Sequence, residues 1–212
     1  MAVCQRKPDE KLYPQGRVEI FVTRGKPVIL ENGELDLSSC EVLESQDIKN
    51  IIVNQGKDVI IKTLALGVSE YAKLTRLSIG DLGTIPSDPT VPKTPLPTRT
   101  ELYHEVYRAD AEAVVLNVNV PGSPDTHEIK LVKTFTASDI PITAFTYQAK
   151  PVINEVGMIS INPAVQIIRD PVAFPNAPMA DEKLFAIRTF KSVPFERDND
   201  ISVTFRYSIY ID

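Results

Sequence analysis

The chain has 212 residues, with 23 Lys and Arg against 28 Asp and Glu, for a formal net charge of −5. That balance argues against a general nucleic-acid binder, because neutralising phosphates requires a basic surface. Hydrophobic residues at 43% and charged residues at 24% are globular proportions, which exclude general disorder and suffice for a core without metal or disulfide staples.

Met1 to Glu10 mixes Arg6, Lys7, Asp9 and Glu10 with no apolar run, so no secretory signal is expected. No stretch approaches the roughly 20 apolar residues that span a bilayer, and no membrane partner is expected. Cys4 and Cys40 are in no CxxC spacing and cannot alone complete a tetrahedral zinc site. Both read as free thiols of a chain made in a reducing cytosol, with a Cys4–Cys40 bridge as the alternative outside a cell. Residues 17–22 and 27–30 read as a hairpin around Arg24-Gly25-Lys26. They belong to an N-terminal β element or arm, 1–46, that either folds alone or drapes over a neighbour. The main β-sandwich domain is 47–212.

From Asp47 to Ala65 the apolar spacing turns to three and four, interrupted at Asn54-Gln55-Gly56. This predicts strand or loop up to Asn54, then a helix over 57–66 with Gly67 as its C′ residue. Beyond it the period is two, which predicts strands over 73–79, 114–120, 128–136 and 184–189. Pro121-Gly122 stops the 114–120 strand as a turn. The last strand is the clearest: Ile201, Val203, Phe205, Tyr207, Ile209 and Ile211 alternate with Ser202, Thr204, Arg206 and Ser208, which reads as half-buried. Two proline clusters, 86–97 and 163–178, read as long extended loops committed to some surface. The fold class is mainly β: an antiparallel β-sandwich with one short helix and long proline-rich loops.

Candidate chemistry is sparse. His104 lies in Tyr103-His104-Glu105-Val106-Tyr107-Arg108, whose alternation suits an exposed β edge or interface. His127 is a turn residue whose neighbours Asp125 and Glu128 make only a weak ion-binding set. Asp81 in Ser78-Ile79-Gly80-Asp81-Leu82-Gly83 reads as a turn residue bonding its own backbone. Gly56-Lys57 lacks the upstream Gly and following Ser or Thr of a phosphate loop. Glu155, flanked by apolar residues, needs a partner if it faces inward, and Arg99, Arg108 and Arg188 are candidates. Tyr103, Tyr107 and Tyr147 are candidates to line a sugar site. No catalytic set, cofactor or metal is expected.

The motifs themselves have an order. Leu77-Ser78-Ile79-Gly80-Asp81 precedes a proline-rich loop, followed by Thr100-Glu101-Leu102-Tyr103-His104-Glu105 and Val152-Ile153-Asn154-Glu155-Val156-Gly157-Met158-Ile159. This order resembles the N-terminal attachment domains of tail-fibre proteins from tailed bacteriophages. The stretch 73–212, with Arg188 to Phe195 and the Tyr207 to Ile211 ending, is also similar to virion structural proteins of contractile-tailed phages. The loop after Gly157 is longer and richer in proline than in the tail-fibre domains, and an attachment or collar module without a fibre shaft or receptor-binding tip after Asp212 is expected.

The resemblance implies a non-enzymatic, homo-oligomeric neck/collar or tail/baseplate protein of the virion, made in the host cytoplasm, which joins subunits or anchors fibres. Its partners would be copies of itself and other virion proteins. The C-terminal strand is expected to pair with a neighbouring subunit's edge. Interface candidates are Pro92, Pro95, Pro97, Phe174, Met179, Phe190, Phe195, Tyr207 and Tyr210. The alternatives are a carbohydrate-binding β-sandwich that recognises a host surface and a capsid decoration protein.

Overall fold

The computed structural model describes residues 15–66, 73–117, 127–162, 172–173, 182–196 and 200–211. In chain order these form β1 (Gln15–Arg24), β2 (Val28–Ile29), β3 (Leu35–Asp36), β4 (Glu41–Lys49), β5 (Ile51–Ile52), α1 (Asn54–Leu66), β6 (Lys73–Gly80), β7 (Thr84–Ile85), β8 (Asp88–Pro92), β9 (Glu105–Asp110), β10 (Ala113–Asn117), β11 (His127–Thr136), β12 (Val152–Ile161), β13 (Val172–Ala173), β14 (Glu182–Pro194) and β15 (Ile201–Ile211). Two short 3-10 turns lie between β11 and β12.

The protein is mainly β. A five-stranded sheet, β10-β11-β15-β1-β4, and a six-stranded sheet, β13-β9-β6-β12-β14-β5, are each antiparallel throughout. Val18, Ile20, Leu131, Phe205 and Tyr207 of the first sheet meet Leu77, Ile79, Val156, Met158 and Phe190 of the second in one core. Rings lock the two layers: Tyr107 on Phe135 and Phe190 on Phe205, with centroids 6.1 and 5.7 Å apart. Each fully buried side chain of this size stabilises by about 1.5–3 kcal/mol.

Several expectations change. The last strand is not an edge free for a neighbour, because β15 lies between β11 and β1 and its backbone is paired on both sides. Nor is it half-buried. Ser202, Thr204 and Ser208 are buried too, since its polar face is closed by cross-strand bonds such as Thr134 Oγ1 to Thr204 Oγ1 at 2.8 Å and Ser208 Oγ to Glu128 at 2.6 Å. β1 pairs with β15 and β4 rather than forming a hairpin with residues 27–30. Those residues instead enter the small β2–β3 hairpin. The expected boundary at 46/47 falls inside β4, and β1 contributes Val18, Ile20 and Val22 to the common core, so residues 15–46 are not a separate element.

The helix begins at Asn54, three residues before the predicted start. Asn54-Gln55-Gly56 forms its first turn because the chain there passes β14 closely: a Cβ on Gly56 would lie 2.2 Å from the Phe185 carbonyl oxygen. Gly67 lies outside the described residues, as do Pro121-Gly122, most of the 163–178 cluster, Cys4 and all residues before 15. Cys40 is a free thiol.

The first proline loop is partly strand. Thr84 to Pro92 folds as the β7–β8 hairpin, and β8 packs along β14. β10 carries Val114 and Leu116 on the core-facing side, opposite Leu131 and Ile129, yet they are 46% and 70% exposed. The edge strand therefore overhangs the second sheet. No helix among the described residues is long and apolar enough to cross a membrane.

Candidate functional site

The motif residues meet at the end of β6. Gly80 stands opposite Glu155 in the β6–β12 register, and a Cβ there would lie 2.3 Å from the His104 carbonyl oxygen and 2.4 Å from Glu155 Oε1. Only glycine permits this approach. Glu155, 0% exposed, accepts backbone N–H groups from Tyr103 at 2.8 Å, His104 at 2.9 Å and Leu82 at 3.4 Å. Backbone amides, not an arginine side chain, are thus its partners. Burial pushes its carboxyl up to about 7 against the opposing pull of those three amides.

Asp81, 2% exposed, reaches across to another loop instead of capping its own turn. Its Oδ2 accepts the Thr146 N–H at 2.5 Å, and its Oδ1 accepts the Thr146 hydroxyl at 3.1 Å and lies 2.6 Å from His104 Nδ1. A carboxylate oxygen only accepts, so His104 Nδ1 carries the proton. Asn154 completes the junction. It accepts the Gly83 N–H at 2.5 Å and donates to the Asp81 carbonyl at 3.0 Å and to the Thr84 and Ser192 hydroxyls at 3.1 Å each. A register shift between Ile153 and Glu155 lets two consecutive residues, Asn154 and Glu155, both serve this turn. Asn154 is a member of the junction that the sequence motifs do not mark out.

The junction fixes the walls of an open groove of about 770 Å³. One wall is the β7–β8 hairpin with Pro86 and Pro89, and the other is the turn through Tyr147 and Lys150. Asn154 and Ser192 lie along its floor.

A second polar cluster is buried on the same sheet. Glu182 accepts from Arg76 at 2.7 Å and from Arg108, which also donates to both oxygens of Glu105 at 2.6 Å. Arg76 further donates to Asp110 at 2.6 Å. Burial lowers the Arg108 guanidinium, and Glu105 and Glu182 more than reverse this. Burial raises the Glu105 carboxyl despite Arg108.

Other predicted residues scatter. Phe190, Phe195 and Tyr207 are core side chains, each at most 1% exposed, so they do not anchor a neighbour. Pro95 is buried as well, whereas Pro92 and Pro97 are exposed. The Pro97 carbonyl accepts the Asn54 N–H at 2.7 Å, which ties its loop to the start of α1. Tyr210 is half-buried on the outer face of the five-stranded sheet, beside a polar groove that includes Arg17, Glu128 and Arg206. Phe174 and Met179 lie outside the described residues.

The three tyrosines do not share a site. Tyr107 is core, Tyr103 lies beneath the Arg99 and Lys93 cations, and Tyr147 is exposed. β9, expected at an edge, is interior: Val106, Tyr107 and Arg108 are all buried. His127 is exposed, while its strand neighbour Glu128 is buried and bonded to Ser208 and Asn117, so the two do not form an ion site. Among the described residues, no group of three or more His, Cys, Asp and Glu is placed to hold a metal ion.

No protein-family model matches the chain, and no curated protein is significantly similar to it. The chemistry of the site therefore rests on its geometry. In the junction each carboxylate oxygen already accepts a donor, and what the arrangement accomplishes is to hold three loops in one place.

Proposed function

We propose that the chain is a non-enzymatic structural component of a tailed-phage virion, an oligomeric neck/collar or tail/baseplate protein that joins subunits or anchors fibres. The observation that carries this reading is the convergence of the three motifs on Glu155. Gly80-Asp81, Tyr103-His104 and Asn154-Glu155 are remote in sequence yet share one hydrogen-bonded junction. The motifs whose order resembles tail-fibre attachment domains thus belong to one structural unit, which supports this reading.

The energetics fit a docking role. Burying three polar side chains is tolerated only with full hydrogen bonding, and the reward is loops that need little further ordering when a neighbour binds. Self-association has a candidate surface in the uncharged β10 edge, with Val114 and Leu116 exposed. The test is mass spectrometry of purified particles from the phage or induced prophage that encodes the chain. Peptides of this protein at a fixed ratio to the major tail protein are expected. Their presence only in the unassembled lysate fraction contradicts the proposal.

A further inference from the structure

Both walls of the 770 Å³ groove are set by the chain itself. Asp81 holds the Thr146 N–H, Phe145 packs on Phe195 with centroids 6.0 Å apart, and the Phe195 N–H donates to the Pro151 carbonyl at 2.9 Å. Between these anchors the Lys150 N–H closes on the Tyr147 carbonyl at 3.1 Å, so Tyr147 and Lys150 stand at the two ends of one tight turn. Tyr147 is 58% exposed, and Lys150 is exposed.

The facing wall is equally fixed. The Lys93 N–H donates to Gly83 at 2.8 Å, its carbonyl accepts the Thr189 hydroxyl, and its ammonium donates to the Leu82 carbonyl at 2.5 Å while lying over the Tyr103 ring. Pro86 and Pro89 add apolar surface on a backbone with little freedom left to lose.

Charge selects the occupant. Lys93 and Lys150 contribute two ammonium groups, whereas the one carboxylate lining the groove among the described residues, Asp81, has both oxygens bonded to Thr146 and His104. Among the described residues no carboxylate pairs with Lys150. On a chain of net charge −5 this is a locally basic, apolar groove.

We infer that the groove receives an extended segment of another virion protein, apolar residues flanked by a carboxylate, with the apolar side chains on Pro86, Pro89 and Tyr147 and the carboxylate at Lys150. Restricted proline and aromatic surfaces suit an extended chain, because such walls need not be ordered on binding and offer flat apolar contact. The ammonium fixes register and rejects basic competitors. This inference rests on the virion reading and adds the chemistry of the partner.

Lysine acetylation by N-hydroxysuccinimide acetate, read by mass spectrometry on intact particles and on the isolated chain, tests it. Lys150 is expected to be several-fold less reactive in particles than in the isolated chain, and a carbodiimide is expected to link it to an Asp or Glu of a different virion protein. Equal reactivity of Lys150 in both samples, or links only to copies of its own chain, overturns the inference while leaving the virion reading in place. Absence of the chain from particles overturns both. Lys150→Glu is expected to deplete the linked protein from particles, with Lys57→Glu on α1 as a control that does not. Wild-type levels of that protein in Lys150→Glu particles contradict the assignment.

Discussion

Arg76 and Glu182 form a 2.7 Å ion pair although each is only 5% exposed. Arg108 shares the same carboxylate, so one buried anion bridges two buried cations whose other partners are Glu105 and the exposed Asp110. Glu182→Ala therefore leaves both guanidiniums short of a partner, and a loss of about 3–5 kcal/mol is expected. Urea unfolding measures it. A loss below 1 kcal/mol would show that the pair is a solvent-exposed contact in energetic terms.

Glu155 gives a pH dependence of definite sign. Its carboxyl is raised from 4.5 to about 7 in the folded chain, so the folded state holds the proton more tightly than the unfolded state. The stability it contributes is complete below about 4.5 and is lost as pH rises through about 7, by roughly 3 kcal/mol. Glu155→Gln does not titrate there. The wild-type stability minus that of the variant should fall across this window in urea unfolding at stepped pH, whereas a flat or rising difference contradicts the burial argument.

Gly80 should be intolerant of a single methyl. In Gly80→Ala the new Cβ meets the His104 carbonyl oxygen and Glu155 Oε1, the first of which belongs to backbone and cannot swing away. Overpacking of this kind costs roughly 1–3 kcal/mol. The Tyr103 and His104 amides should also lose hydrogen-exchange protection, because their acceptor is displaced. Unchanged protection would mean that the junction does not hold this loop.

Leu116 tests the self-association surface. At 70% exposure its replacement by Lys should change stability by less than about 0.5 kcal/mol. The charge on the β10 edge should oppose strand pairing between copies, shifting sedimentation of the isolated chain toward the monomer. An unchanged oligomer distribution would place the contact between copies elsewhere.

Much of the sheet structure was legible because alternation is a local property. The strands at 73–79, 128–136 and 184–189 are present as β6, β11 and β14, and the run from Ile201 to Ile211 is β15. Alternation does not reveal which strands lie alongside. Ser202 and Thr204 look like a solvated face in sequence, but β1 and β11 flank them, and Thr204 pairs with Thr134. Phe190 and Phe195 were equally ambiguous, since an aromatic on one face of a strand reads the same whether a second sheet or another subunit covers it. Val114 and Leu116 differ the other way, apolar by pattern but left exposed on the edge strand β10.

The candidate site was legible in its motifs but not in its wiring. The motifs contain Gly80, Asp81, His104 and Glu155, yet the bonds that fix them are long-range: Asp81 to Thr146, and Glu155 to Leu82 and Tyr103. Asn154 is not legible as a junction residue because the strand irregularity beside it has no sequence signature of its own.

The proposed virion role is tested most directly by a cryo-electron density map of intact tailed-phage particles prepared from the source of this chain. The two-sheet body is expected in a symmetric arrangement at the neck, tail or baseplate, with the Tyr147–Lys150 turn against another protein. A map of comparable detail whose every component is assigned to other chains would contradict it.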